Sequence, residues 1–122
     1  MLWKLPVAEW ARHGLTEPSS LLTLCPLMCA TTMQAGGFDG IEIHGGNGYL
    51  LQAFMAQKTN QRTDKYGGSV ANRCRLLLET VDAVAAAVGP ERTAVKIQPG
   101  ITFSDLIEPE ADVKEVSRVR ER

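Results

Sequence analysis

The sequence is short of the features that mark several protein classes. Aromatic residues make up only 6% of its 122 positions, histidines number two and cysteines three. Thirteen Lys and Arg stand against fourteen Asp and Glu, a formal net charge of −1. Nucleic acids are held largely through their phosphates, so without a basic surplus no nucleic-acid partner is expected. Three cysteines (Cys25, Cys29, Cys74) are too few for a disulfide framework, and an odd count fits a reducing compartment, read here as cytoplasmic. Cys25 and Cys29 form a C-x3-C with no second Cys or His pair nearby, so no metal is expected. The longest apolar stretch, residues 21–33, contains Pro26 and several threonines, and at about 13 residues it is too short to cross a bilayer. It also starts late and follows Glu9 and Glu17, unlike a secretory leader. No internal repeat and no low-complexity tract is present.

What is there is an ordinary globular balance, 44% hydrophobic and 22% charged, sized for one modest core. Trp3, Leu5, Val7 and Trp10 hint at a short amphipathic piece, and residues 17–20 read as a loop. A helix is expected from about Leu27, after Pro26, to the Gly36-Gly37 stop. From Phe38 to His44 apolar and polar residues alternate with the period of a strand. Ile41 and Ile43 then share one face, Glu42 and His44 the other. Gly45-Gly46-Asn47-Gly48 closes the strand in a tight loop, residues 49–58 read as a short helical turn, and residues 59–68 as a polar loop.

Ser69 is a good N-cap for an amphipathic helix with Val70, Cys74, Leu77, Leu78, Val81, Val84, Ala85 and Val88 on its apolar face. Gly89-Pro90 stops it, and a second strand follows over residues 93–98, with Val95 and Ile97 on one face and Ala94, Lys96 and Gln98 on the other. Strand, loop, long helix, strand is a right-handed βαβ crossover with two parallel strands. Beyond Ser104 the tail is charged; Val113, Val116 and Val119 suggest a solvated helix over residues 105–122.

His44, Asn47 and Tyr49 gather at the C-terminal end of the first strand, where α/β proteins place ligands, and Lys96 lies at the same end of the next. An imidazole, an amide, a phenol and a cation would suit an anionic or carbonyl oxygen. On spacing alone a structural His44 and a core Tyr49 are equally good readings. The glycine-rich loop lacks both G-x-G-x-x-G and a following Lys-Ser/Thr, so a phosphate cradle is not indicated.

The run GFDGIEIHGGNGYLL, followed by Asn60, Arg62, Thr63, Asp64, Tyr66, Gly67, Gly68, Ser69, Asn72 and Arg73, resembles the old yellow enzyme family of FMN-dependent ene-reductases, including 12-oxophytodienoate reductase-like members. The resemblance covers residues 36–99 and implies a (β/α)8 barrel with FMN at its C-terminal mouth, NAD(P)H as reductant and an α,β-unsaturated carbonyl compound as substrate. It implies that His44 and Asn47 bind the substrate carbonyl oxygen, that Tyr49 donates the proton to Cα, and that Lys96 binds the cofactor where the family usually has Arg. Gln98-Pro99-Gly100 departs from the usual Ser-Pro-Phe or Ser-Pro-Tyr. A closed barrel takes about 250 residues, so the expected fold is α/β, a central βαβ fragment of a barrel. Residues 36–104 would form that fragment, with residues 1–35 matching poorly. The alternative is a non-catalytic remnant or interaction module that binds no flavin; exposed sheet edges would allow self-association.

Overall fold

Two short strands bracket one long helix in the computed structural model, which describes residues 18–98 together with Val113, Lys114 and Val116. The elements are α1 (Pro18–Gly36), β1 (Ile41–Gly45), α2 (Leu50–Met55), α3 (Val70–Val88), a 3-10 turn (Pro90–Arg92) and β2 (Thr93–Ile97). β1 and β2 pair in parallel, with Ile41 opposite Thr93 and His44 opposite Lys96. The expected βαβ unit is therefore present, and α1 lies along α3 on the same side as the core.

α3 forms where the apolar spacing requires it. The Ser69 hydroxyl accepts a hydrogen bond from the Asn72 N–H at 3.3 Å, occupying one of the helix's otherwise unpaired donors. Gly89, at φ 101, ends the helix in a conformation that side chains resist. Removing the cap by Ser69→Ala should lower the unfolding free energy by about 1 kcal/mol. Urea unfolding checks this; an unchanged midpoint would show that solvent replaces the hydroxyl at no cost.

The core is built by Ile43, Leu51, Phe54, Met55, Tyr66, Val70, Cys74, Leu76, Leu77 and Val84, all buried. The buried stripe of α3 is broader than its apolar spacing implies. Leu76, Thr80 and Arg73 are buried as well, whereas Leu78 is exposed. The Thr80 hydroxyl can enter the core because it donates to the Leu76 carbonyl one turn back, at 2.7 Å.

Three local expectations are corrected. α1 starts at Pro18 and runs through Pro26, rather than starting near Leu27 after a loop. Pro18 suits a first turn, where its missing N–H would have no partner in any case. An interior proline costs a helix about 3 kcal/mol. Packing of Leu22, Cys25, Cys29, Ala30 and Met33 against the core opposes that cost. β1 begins at Ile41, three residues later than the alternation suggests, because residues 37–40 turn through Gly37 at φ 67 and Phe38 stays exposed. Val116 is helical, as expected, but buried in the core cluster rather than solvated. The amphipathic piece at residues 3–10 and Val119 lie outside the described residues. Among the described residues no helix is long and apolar enough to cross a membrane.

Candidate functional site

The pleat turns Ile43 and Gly45 into the core and leaves Glu42 and His44 on the opposite, exposed face of β1. Ala94 and Lys96 are exposed on β2, and Lys96 is the register partner of His44. Adjacent strands lie about 4.8 Å apart, so the imidazole and the ammonium stem leave the sheet side by side. The polar face foreseen from the alternation is thus real and open.

The turn after β1 carries the other two residues. Asn47 adopts φ 55, the only non-glycine with positive φ among the described residues, and Gly48 follows at φ 80. The turn closes with the Tyr49 N–H donating to the Gly46 carbonyl at 3.2 Å. Tyr49 then starts α2 and stands 58% exposed, which rules out the core reading. Its ring faces that of His44 with centroids 5.4 Å apart at 55°. Neither side chain hydrogen-bonds the protein among the described residues. Imidazole, amide, phenol and ammonium are brought to one end of the sheet with their donors available.

Sequence reasoning missed two residues that hold this turn. Gln52 is buried; its Oε1 accepts from the Gly48 N–H at 2.7 Å and its Nε2 donates to the Gln98 carbonyl at 2.6 Å. The Gln98 Oε1 accepts from the Asn47 N–H at 3.3 Å. The signal available for Gln52 was a polar residue within an otherwise apolar helical turn, LLQAFM.

The long polar motif after α2 is a clasp rather than a ligand loop. The buried Asn60 amide donates to the carbonyls of Phe54 and Tyr66, at 2.6 and 2.7 Å, and its Oδ1 accepts from the Arg62 N–H. The buried Arg73 guanidinium donates to the carbonyls of Gly68 and Met55, tying α3 to the end of α2. Arg62 pairs with Asp64, and the Tyr66 hydroxyl donates to Glu79 at 2.8 Å. No buried side-chain polar atom is left unsatisfied among the described residues.

Charge follows this wiring. The Arg62 guanidinium bonded to it holds the Asp64 carboxyl below its usual range, with further help from the Tyr66 N–H. Burial, then the hydrogen bond to Glu79, pushes the Tyr66 phenol up. Asp64 therefore stabilises the fold above the unfolded carboxylate pKa, near 4, and that contribution is lost as pH falls through its lower folded value. Because its side chain is 45% exposed, the effect should stay within about 1 kcal/mol. Urea midpoints from pH 6 to pH 2 should fall less steeply for Asp64→Asn than for the unmodified chain; parallel curves would remove Asp64 from the acid response.

On the other side of the sheet, Cys25 and Cys29 sit half-buried on α1, and burial, then the neighbouring Cys29, raises the Cys25 thiol pKa. Among the described residues no three His, Cys, Asp or Glu side chains converge.

Known proteins resemble this chain over most of its length. The profile of the NADH:flavin oxidoreductase / NADH oxidase family matches residues 27–121. A probable flavin mononucleotide-dependent alkene reductase from Leishmania infantum is 43% identical over 108 residues, covering 80% of this chain and 30% of the relative. The 12-oxophytodienoate reductase 2 of Arabidopsis thaliana is 49% identical over 81 residues, 66% of this chain and 21% of that protein. Among solved structures, the old yellow enzyme homologue from Zymomonas mobilis superposes with a TM-score of 0.77 at 38% identity, covering 85% of this chain and 28% of that one. The chain thus spans less than a third of the length of each of these relatives.

Proposed function

This chain belongs to the NADH:flavin oxidoreductase / NADH oxidase family, and on that premise we propose that it is the substrate-side part of an FMN-dependent ene-reductase. Its fold is α/β, a βαβ portion of the family's (β/α)8 barrel, and we assign residues 36–104 to that portion. The reaction is reduction of the C=C bond of an α,β-unsaturated carbonyl compound, with NAD(P)H as reductant. One observation carries the reading: His44, Tyr49 and Lys96 stand together on the open face with the first two side chains unbonded.

The donor set fits the ring end of a flavin, with the Lys96 cation available to its electron-rich carbonyl edge. FMN, when bound, supplies the hydride chemistry. The protein's own contributions are electrostatic and protonic. His44 and Asn47 donate to the substrate carbonyl oxygen and stabilise the negative charge that develops there. Tyr49 delivers a proton to Cα, since a phenol carries its proton at neutral pH and can act as a general acid. Lys in place of the family's Arg keeps the charge but offers no planar fork, so Lys96 would hold the ring by charge without a bidentate contact.

Titrating FMN with the purified protein tests the reading. Quenched flavin fluorescence and a shifted visible band are expected; unchanged fluorescence at saturating protein would favour the non-catalytic interaction module. The same preparation should self-associate, because both outer edges of the two-stranded sheet are unpaired among the described residues. We read the compartment as cytoplasmic on its free thiols.

A further inference from the structure

We infer that Gln52 and Gln98 are positioning residues that work as a two-part latch, locking the Asn47–Gly48–Tyr49 turn to the end of β2. The inference rests on the proposed role of Asn47 and Tyr49, and it extends to residues outside the reacting set. The two glutamines use opposite ends of their carboxamides. Gln98 serves as an acceptor: its Oε1 takes the Asn47 N–H at 3.3 Å. Gln52 serves as both, taking the Gly48 N–H at 2.7 Å while giving its Nε2 to the Gln98 carbonyl at 2.6 Å. Two successive backbone donors of the turn are thereby fixed to groups that belong to, or are bonded to, the residue following β2.

That connection matters because the proposed site is drawn from two strands. His44, Asn47 and Tyr49 come from β1 and its turn, whereas Lys96 comes from β2, two residues before Gln98. Asn47 also sits at φ 55, a left-handed backbone conformation that asparagine tolerates better than most residues and that the two carboxamides hold in place. Gly46 makes room for the latch, since a Cβ there would lie 3.2 Å from the Gln98 Cβ.

The chemistry predicts opposite responses to the same substitution. In Gln98→Glu a carboxylate oxygen can still accept from Asn47, with a charge-assisted bond. In Gln52→Glu the donor to the Gln98 carbonyl is gone and an anionic oxygen faces that carbonyl instead. Hydrogen exchange of the Asn47 and Gly48 amides, read by NMR on the full chain, should therefore stay slow in Gln98→Glu. Asn47 exchange should quicken about threefold to tenfold in Gln98→Ser, and exchange of both amides about tenfold or more in Gln52→Glu. The Ile43 and Val84 amides report that the fold is intact. In the same samples with FMN present, the dissociation constant for 2-cyclohexenone should rise about threefold to tenfold in Gln52→Glu. Equal responses of the two Glu variants, or unchanged Asn47 and Gly48 exchange, would overturn the latch. Altered exchange with unchanged enone affinity would overturn the positioning role while leaving the proposed function standing. Failure of the unmodified chain to bind the enone would remove the proposed function, and the positioning role with it.

Discussion

Gly67→Ala should destabilise the protein by roughly 3 kcal/mol or more, the largest loss expected from any single methyl group added to the clasp. A Cβ at this position would stand 1.9 Å from the Arg62 carbonyl oxygen and 2.5 Å from its carbon. Those are backbone atoms, and they cannot swing aside. The segment is pinned from both sides: the Gly67 N–H donates to the Asp64 carbonyl at 3.0 Å, and the Arg62 N–H donates to the Asn60 Oδ1. The neighbouring glycine provides the control. Gly68 has open space around its Cα but φ +80, so Gly68→Ala should cost only the conformational penalty of about 1–2 kcal/mol. Urea unfolding of the two variants separates collision from strain. If Gly67→Ala proves no worse than Gly68→Ala, the clasp yields more readily than its hydrogen bonds imply.

The second large effect concerns chemistry rather than stability. Tyr49→Phe keeps the ring that faces His44 and removes only the hydroxyl. Loss of a positioned general acid lowers a rate by about 10²–10⁴-fold, so under the proposed function alkene reduction should fall by that factor. On the proposed role, bleaching of FMN absorbance by NADPH should be unaffected, because that role gives the phenol no part in flavin reduction. Stability should also be nearly unchanged, since the side chain is largely exposed and its hydroxyl has no protein partner among the described residues. Stopped-flow measurement of the two half-reactions distinguishes them. An alkene half-reaction as fast as in the unmodified chain would show that water or another group supplies the proton.

The parts legible in advance were those written in local spacing. Ile41-Glu42-Ile43-His44 announces a strand by its period of two, and Ser69 followed by the apolar spacing to Val88 announces a capped helix. Their parallel pairing followed from the long helical crossover between them, and the His44–Lys96 juxtaposition followed from that pairing. What spacing could not reveal is which polar residues go inside. Thr80 and Arg73 lie on the buried side of α3 only because particular carbonyls wait there, at Leu76, Gly68 and Met55. Gln52 is hidden for the same reason: its two partners are a turn amide four residues back and a carbonyl 46 residues ahead. The Pro26 discrepancy has a different cause. A local rule starts the helix just after that proline, whereas contacts of Leu22 and Cys25 with the core, remote in sequence, extend it back to Pro18. The motif quoted for the family resemblance proved informative about lineage, although most of its residues serve architecture, with Asn60 and Arg73 answering backbone carbonyls.

The clasp and the strand pair also differ in when they can form. Asn60 reaches Phe54 and Tyr66, each six residues away, and Thr59 reaches Ala53 across the same interval. Bonds over such short intervals require little loop closure and can appear early in folding. β1 meets β2 only after about fifty intervening residues have been gathered in. The clasp can therefore act as a nucleus that delivers α3, and β2 behind it, to β1. Lys96 reaches the vicinity of His44 only at that last step. Among the described residues, the end of the sheet that carries His44 and Lys96 then depends on the contact that spans the longest stretch of chain.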